Sequence, residues 1–339
     1  MFCDHQVVRS RAALLKSIRI AQPSSNNTLR ILIGSIFIIV LTGISVRGTN
    51  ENLHVLQMNS LTFNEDVDKQ AVPFYEALEK ALKKRKVKLA NLCPDADRVS
   101  KRILEEYGAM FMASKKVMAP PVCVFTTEEQ VTSFQDQAGF KSEQIGLDEI
   151  ELQPEALKEL IKAREEANKE GLDITPRDGA EAARRNYDDS VRLWKSRFEP
   201  ALTYWLEQGR LTQTQVDHLR NLALPEQVAD VLELEKSGIY FSKDLSKSIL
   251  YSIAAPGASQ HIAMLAFDVN EFENPRVREL LAKHGWFQTV LSDLPHFTFL
   301  GLKEKDLPKK GLRSVEVNGQ VFWIPNVPGT QHPGLDRQS

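Results

Sequence analysis

Cysteine is scarce: three occur in 339 residues. That excludes a zinc site built from four thiolates and a disulfide-dense miniprotein. An excess of one charge is also missing. Lys and Arg number 43 against 45 Asp and Glu, a net charge of -2, which argues against a dedicated nucleic-acid binder with its strongly basic footprint. No repeat of 20–50 residues is visible, which argues against a solenoid. What is present, 42% hydrophobic and 26% charged residues, is the composition of a globular chain with a sizeable core. At ~150 residues per domain the length suggests about two domains, or one large domain with additions.

One uncharged run stands out, ILIGSIFIIVLTGISV at 31–46, between Arg30 and Arg47. A spanning helix wants ~20 apolar residues and a signal-peptide core ~7–15, so the run sits on the border. Arg9, Arg11, Lys16, Arg19 and Arg30 precede it against one acid, Asp4. The basic flank should stay in the cytoplasm and the remainder outside. We therefore expect a basic leader at 1–28, a signal peptide or membrane anchor at 29–47, and a periplasmic or extracytoplasmic body; the alternative is a buried core helix. Cys3 falls in the leader. Cys93 and Cys123 remain outside, where disulfides persist. Either they pair, closing a loop worth ~3 kcal/mol, or they are two buried thiols.

Residues 48–68 read as a polar linker within a mainly helical region, 48–147. Helices are expected at 72–90 and 97–113, a short buried strand at 121–125, and a helix capped by Thr126 through Gln137, with Glu129 in the capping-box position. Lys80, Lys83, Lys84, Arg85, Lys86 and Lys88 form either a solvated face or a contact for an anionic wall polymer. A second region, 148–330, begins with a long helix at 153–170 and a brief strand at Ile174 and Thr175. A helix follows from Asp178 to Gly209, then two short ones at 212–222 and 225–237. From Ile249 the texture changes: a strand at 264–269, a helix opened by Asn274 and Pro275 and closed at Gly285, a strand at 296–300, and a hairpin around Asn318-Gly319. The fold class expected is α+β, a small antiparallel sheet flanked by helices, with a helical amino-terminal extension and a helical insertion at about 196–245.

Two of the seven histidines keep unusual company. His261 precedes a strand that carries Asp268 near its end, and His296 opens another. A catalytic zinc takes three ligands from His and carboxylate and leaves a position for water. Neighbouring strands could bring His261, Asp268 and His296 together. Asp293, three residues before His296 across a Pro turn, could serve as the base. Ser259 could hold an outer hydrogen bond. Each piece alone is weak; the bland alternatives are a satisfied core histidine and a turn cap.

Together they resemble the zinc D-alanyl-D-alanine carboxypeptidases and L-alanyl-D-glutamate peptidases, with their S-x-H-x-x-G-x-A-x-D motif and a downstream E/D-x-x-H. Ser259, His261, Ala266 and Asp268 stand in register, followed by Asp293 and His296; the His-Gly-Trp at 284–286 is also similar. The resemblance implies a Hedgehog/DD-peptidase-like fold, one Zn2+ per chain on His261, Asp268 and His296, and Asp293 as general base. It implies peptidoglycan stem peptides as substrate, and the charge balance leaves no nucleic acid among the expected partners. The family's substrate-gripping arginine aligns best with Arg185, with Arg177 competing; a solvated helix face is the alternative for Arg185. Met264 departs from the pattern, standing where the family has glycine. The similarity covers about 152–302 and leaves 48–150 unexplained.

Overall fold

The structure, a computed structural model, describes residues 71–94 and 98–328. The leader and the apolar run at 31–46 lie outside the described residues. Among the described residues, no helix is long and apolar enough to cross a membrane.

The sheet that positions the site is built from three short strands, β3 (Ala266–Asp268), β4 (Trp286–Gln288) and β5 (His296–Phe299). They form an antiparallel sheet in the order β3-β5-β4. Successive strand residues face opposite sides, so the HFTF sequence of β5 sends its two phenylalanines one way and His296 with Thr298 the other. Phe297 and Phe299 pack with Phe267 and Trp286 in the principal core, the Trp286 and Phe299 rings 5.2 Å apart. Each such buried side chain contributes about 2–3 kcal/mol. Asp268 and His296 are direct cross-strand partners. That register carries a residue 28 positions earlier to the opening residue of β5.

Helices surround the sheet. The principal core takes in residues from α1 (Phe74–Arg85), α3 (Glu128–Ala138), α4 (Pro154–Lys169) and α8 (Pro275–Lys283) as well as the sheet. A second core joins α2 (Arg98–Tyr107), α5 (Tyr187–Glu207), α6 (Gln213–Asn221) and α7 (Leu224–Lys236) with Ala255, Ala258 and Val290. The helical character expected at 196–245 is therefore present. Two hairpins complete the fold. β6 (Leu312–Val317) and β7 (Gln320–Pro325) meet at Asn318 and Gly319, both with positive φ as a type I′ turn requires. β1 (Lys141–Ile145) and β2 (Asp148–Leu152) were not anticipated, because β1 is exposed at four of its five residues and carries no apolar alternation.

Other expectations need correction. The stretch 121–125 is not a strand. Pro121 has no N–H, and the segment is pinned by single bonds, Cys123 N–H to the Leu92 carbonyl and Phe125 N–H to that of Gly257. Gly257 is obligatory here, since a Cβ would lie 1.9 Å from the Phe125 oxygen. The cap of α3 is Thr127, whose side chain accepts from Gln130 N–H, rather than Thr126. Ile174 and Thr175 form no strand; the pairing is a single bridge between Pro176 and Val269. The helix expected from Asp178 is broken. Asp178 and Gly179 are both left-handed, one turn of 3-10 helix follows over Gly179–Ala182, and α5 starts afresh behind Asn186. Cys93 and Cys123 form a disulfide with Cα atoms 5.5 Å apart.

Candidate metal centre

Three buried side chains converge. His261, Asp268 and His296 each offer a ligand atom within 4.8 Å of the others. His261 Nε2 lies 3.1 Å from His296 Nδ1 and 3.3 Å from Asp268 Oδ2, and His296 Nδ1 lies 3.1 Å from Asp268 Oδ1. The strand register supplies Asp268 and His296. His261 arrives on the turns before β3, its own carbonyl accepting from Met264 N–H.

What surrounds these rings fixes how they present their nitrogens. His261 Nδ1 lies 3.0 Å from the Ala183 carbonyl, which can only accept, so Nδ1 carries the hydrogen and Nε2 is left bare. His296 Nε2 lies 2.9 Å from Gln260 Oε1, and the same logic leaves Nδ1 facing inward. Two imidazole lone pairs and a carboxylate therefore point at one another across about 3 Å. Acceptors held this close call for a hydrogen or a cation between them. Donors about 2.0–2.1 Å from a tetrahedral zinc-sized ion stand about 3.3 Å apart along each edge, so the spacing fits a metal ion, and the group could hold one.

The charges agree with such a role. Burial and the nearby Arg185 guanidinium push His261 down to about 4, so it is neutral at pH 7, as a ligand must be. Burial works to raise Asp268, yet the carboxyl is held well below the usual range, and the group beside it that carries a standing positive charge is Arg185. Arg185 Nη2 also donates to Asp268 Oδ2 at 2.9 Å, while its Nε donates to the Glu181 carbonyl.

A cavity of about 110 Å³ opens beside the triad. Asp293, Arg185 and Ser259 line it together with His261 and His296. Burial among protein atoms and the charge of Asp268 push the Asp293 carboxyl up to about 6; the residue also opens to solvent, which tempers the shift without changing its direction. Ser259 Oγ accepts from the His261 backbone N–H at 3.3 Å. Arg177 is not in the lining; its guanidinium lies 5.5 Å from the Phe272 ring centroid, 44% exposed. Arg184 is committed elsewhere, to Gln135 and Glu151.

Sequence reasoning missed the residues that orient the triad: the Ala183 carbonyl, Gln260, Thr289, Thr298 and Tyr107. One signal was available for Thr298, which sits two residues after His296 on a strand and so shares its face. For Ala183 the signal was the Asn186-x-x-Asp189 capping box, which starts a new helix and implies a break before it. Compared with protein-family models, with curated proteins and with solved structures, the chain finds no match.

Proposed function

We propose that the chain is an exported zinc metallopeptidase that hydrolyses peptide bonds in peptidoglycan stem peptides. The observation that carries this reading is the inward-facing triangle of His261 Nε2, His296 Nδ1 and Asp268, with Asp293 on the wall of the adjoining cavity. The motif's similarity to the zinc carboxypeptidases and L-alanyl-D-glutamate peptidases supplies the substrate class. The run at 31–46 behind a basic flank supports export, with the amino terminus inside and the segment either cleaved or kept as an anchor.

Zinc on His261, Asp268 and His296 would lower the pKa of a water toward ~7 and polarise an amide carbonyl. The proton work falls to Asp293. Its carboxylate takes a proton from the attacking water and delivers it to the amine as the C–N bond breaks. A carboxyl raised above its ordinary range, as that of Asp293 is, suits both directions of that transfer. Arg185 is the guanidinium on the cavity wall and the better placed of the two candidates to grip a substrate carboxylate; its bond to Asp268 gives it a second task, holding that carboxylate in place. Ser259 steadies the His261 backbone.

The narrowness of the cavity, and the engagement of Arg185 with Asp268, favour a second reading: a non-catalytic wall-binding module that retains its metal. One experiment separates them. The zinc-loaded chain is incubated with muropeptides and the products are weighed by mass spectrometry. Release of D-alanine or scission at L-Ala-D-Glu is expected, and identifies carboxypeptidase or endopeptidase action. Intact stem peptides throughout, with zinc bound, refute hydrolysis and leave the binding module.

A further inference from the structure

We propose that Gln260 is the positioning residue that keeps His296 Nε2 protonated and thereby reserves Nδ1 as a metal donor. Its consequence for metal binding rests on the reading above; the geometry does not.

The orientation of the Gln260 amide is settled by its neighbours. Its Nε2 donates to the Tyr107 carbonyl at 2.9 Å and reaches Thr289 Oγ1 at 3.5 Å. A carbonyl can only accept, so the amide nitrogen belongs on that side and Oε1 faces His296. The Thr298 hydroxyl donates to the same Oε1. Having spent its hydrogen there, Thr298 must accept from Thr289, 2.6 Å away. Gln260, His296, Thr289 and Thr298 are all buried, at 5% exposure or less, so protein atoms make these bonds, and water can reach the circuit only from the cavity that Gln260 and His296 line. The result is a closed circuit in which every polar atom has one consistent role.

That circuit opposes a specific alternative. His296 could carry its hydrogen on Nδ1 and donate it to Asp268 Oδ1, 3.1 Å away. The ring would then be useless as a ligand, and its bare Nε2 would face Gln260 Oε1 at 2.9 Å, two acceptors in contact. A buried acceptor pair without a hydrogen forfeits the bond and leaves both atoms unsatisfied. Gln260 thus biases the ring toward the metal-ready form. The anchor of the circuit is the last residue of α2, in the amino-terminal region that the peptidase resemblance leaves unexplained. That region has a task here: it supplies the carbonyl that orients the amide that orients the ligand.

The test uses the 15N-labelled 339-residue chain. Long-range proton–nitrogen correlation spectra at mildly alkaline pH read which imidazole nitrogen of His296 bears hydrogen, with zinc and after chelation. Competition with a chromophoric chelator gives zinc affinity. In the wild type, Nε2 of His296 is expected to be protonated in both states. Gln260→Met, close in volume but unable to accept from an N–H, should transfer the hydrogen to Nδ1 after chelation and weaken zinc about 10–100-fold. Gln260→Glu retains an acceptor and should keep Nε2 protonated, with affinity within a few-fold of wild type. A bare Nε2 in the wild type overturns the proposal on its own, whether or not the variants fold. So does a Gln260→Met protein with wild-type spectrum and affinity, or a Gln260→Glu protein that loses the Nε2 hydrogen. A wild type that binds no zinc, yet shifts its hydrogen in Gln260→Met, leaves the positioning role standing and removes the metal reading instead.

Discussion

If the triad holds zinc, removing the ion should cost stability in proportion to its saturation. The ligand atoms stand 3.1–3.3 Å apart in the folded chain, close to the edge of a tetrahedral zinc site, so binding needs little rearrangement. An unfolded chain scatters them over a sequence separation of 35, from His261 to His296, and offers no comparable site. Binding to the native state alone contributes about 2.7 kcal/mol at a free zinc concentration of one hundred times Kd. For a body of this size each kcal/mol moves Tm by about 2–4 °C, so the expected rise is about 5–10 °C. The assay is thermal unfolding after chelation and again after zinc is restored, with elemental analysis giving one zinc per chain. His261→Ala should abolish the shift. His218→Ala should preserve it, because that imidazole is 62% exposed and faces Asp230 outside the cavity. An unchanged Tm on adding zinc, or a shift that survives His261→Ala, refutes the argument from convergence.

Three other outcomes follow from single residues. Asp293→Asn should keep zinc and lose turnover; in the wild type the rate should climb as Asp293 ionises, with a midpoint at or below about 6 because a bound cation draws the carboxyl lower, and full activity in the variant removes the base assignment. Glu235 is buried and accepts from Ile249 N–H at 2.6 Å, and burial pushes it up to about 7 from 4.5. An acid raised on folding stabilises below its unfolded pKa, so about 3 kcal/mol should be lost as pH rises from below 4.5 through 7; Glu235→Gln should flatten that slope in urea unfolding, and an identical slope in the variant assigns it to other groups. Met264 is fully buried with φ +54. Removing its side chain costs about 2–5 kcal/mol, but only glycine also relieves the left-handed backbone, so Met264→Gly should be more stable than Met264→Ala by about 1 kcal/mol, and the reverse order refutes strain at this position.

The residues that were legible from sequence are those whose placement is dictated by local pattern. Alternation in HFTF set β5, Asn274-Pro275 set the start of α8, and Asn318-Gly319 set the last hairpin. A motif of fixed spacing also survives folding, because its members share one turn and one strand. Met264 occupies a position that glycine takes more easily: the backbone there is left-handed, the His261 carbonyl accepts from Met264 N–H, and β3 begins two residues later. What stayed hidden is the set of atoms that orient the ligands. The Ala183 carbonyl is free to meet His261 only because the helix expected from Asp178 breaks before Asn186; in a continuous helix that oxygen would bond four residues ahead. Gln260 and the Tyr107 carbonyl meet across 153 positions of sequence, a separation at which spacing carries no information. The members of a triad that could hold a metal can thus be read from one stretch of chain, while the atoms that choose which nitrogen they present are assigned only by the tertiary fold. A Gln260 variant and a ligand variant should for that reason fail differently: the first by presenting the wrong nitrogen of an intact imidazole, the second by having none to present.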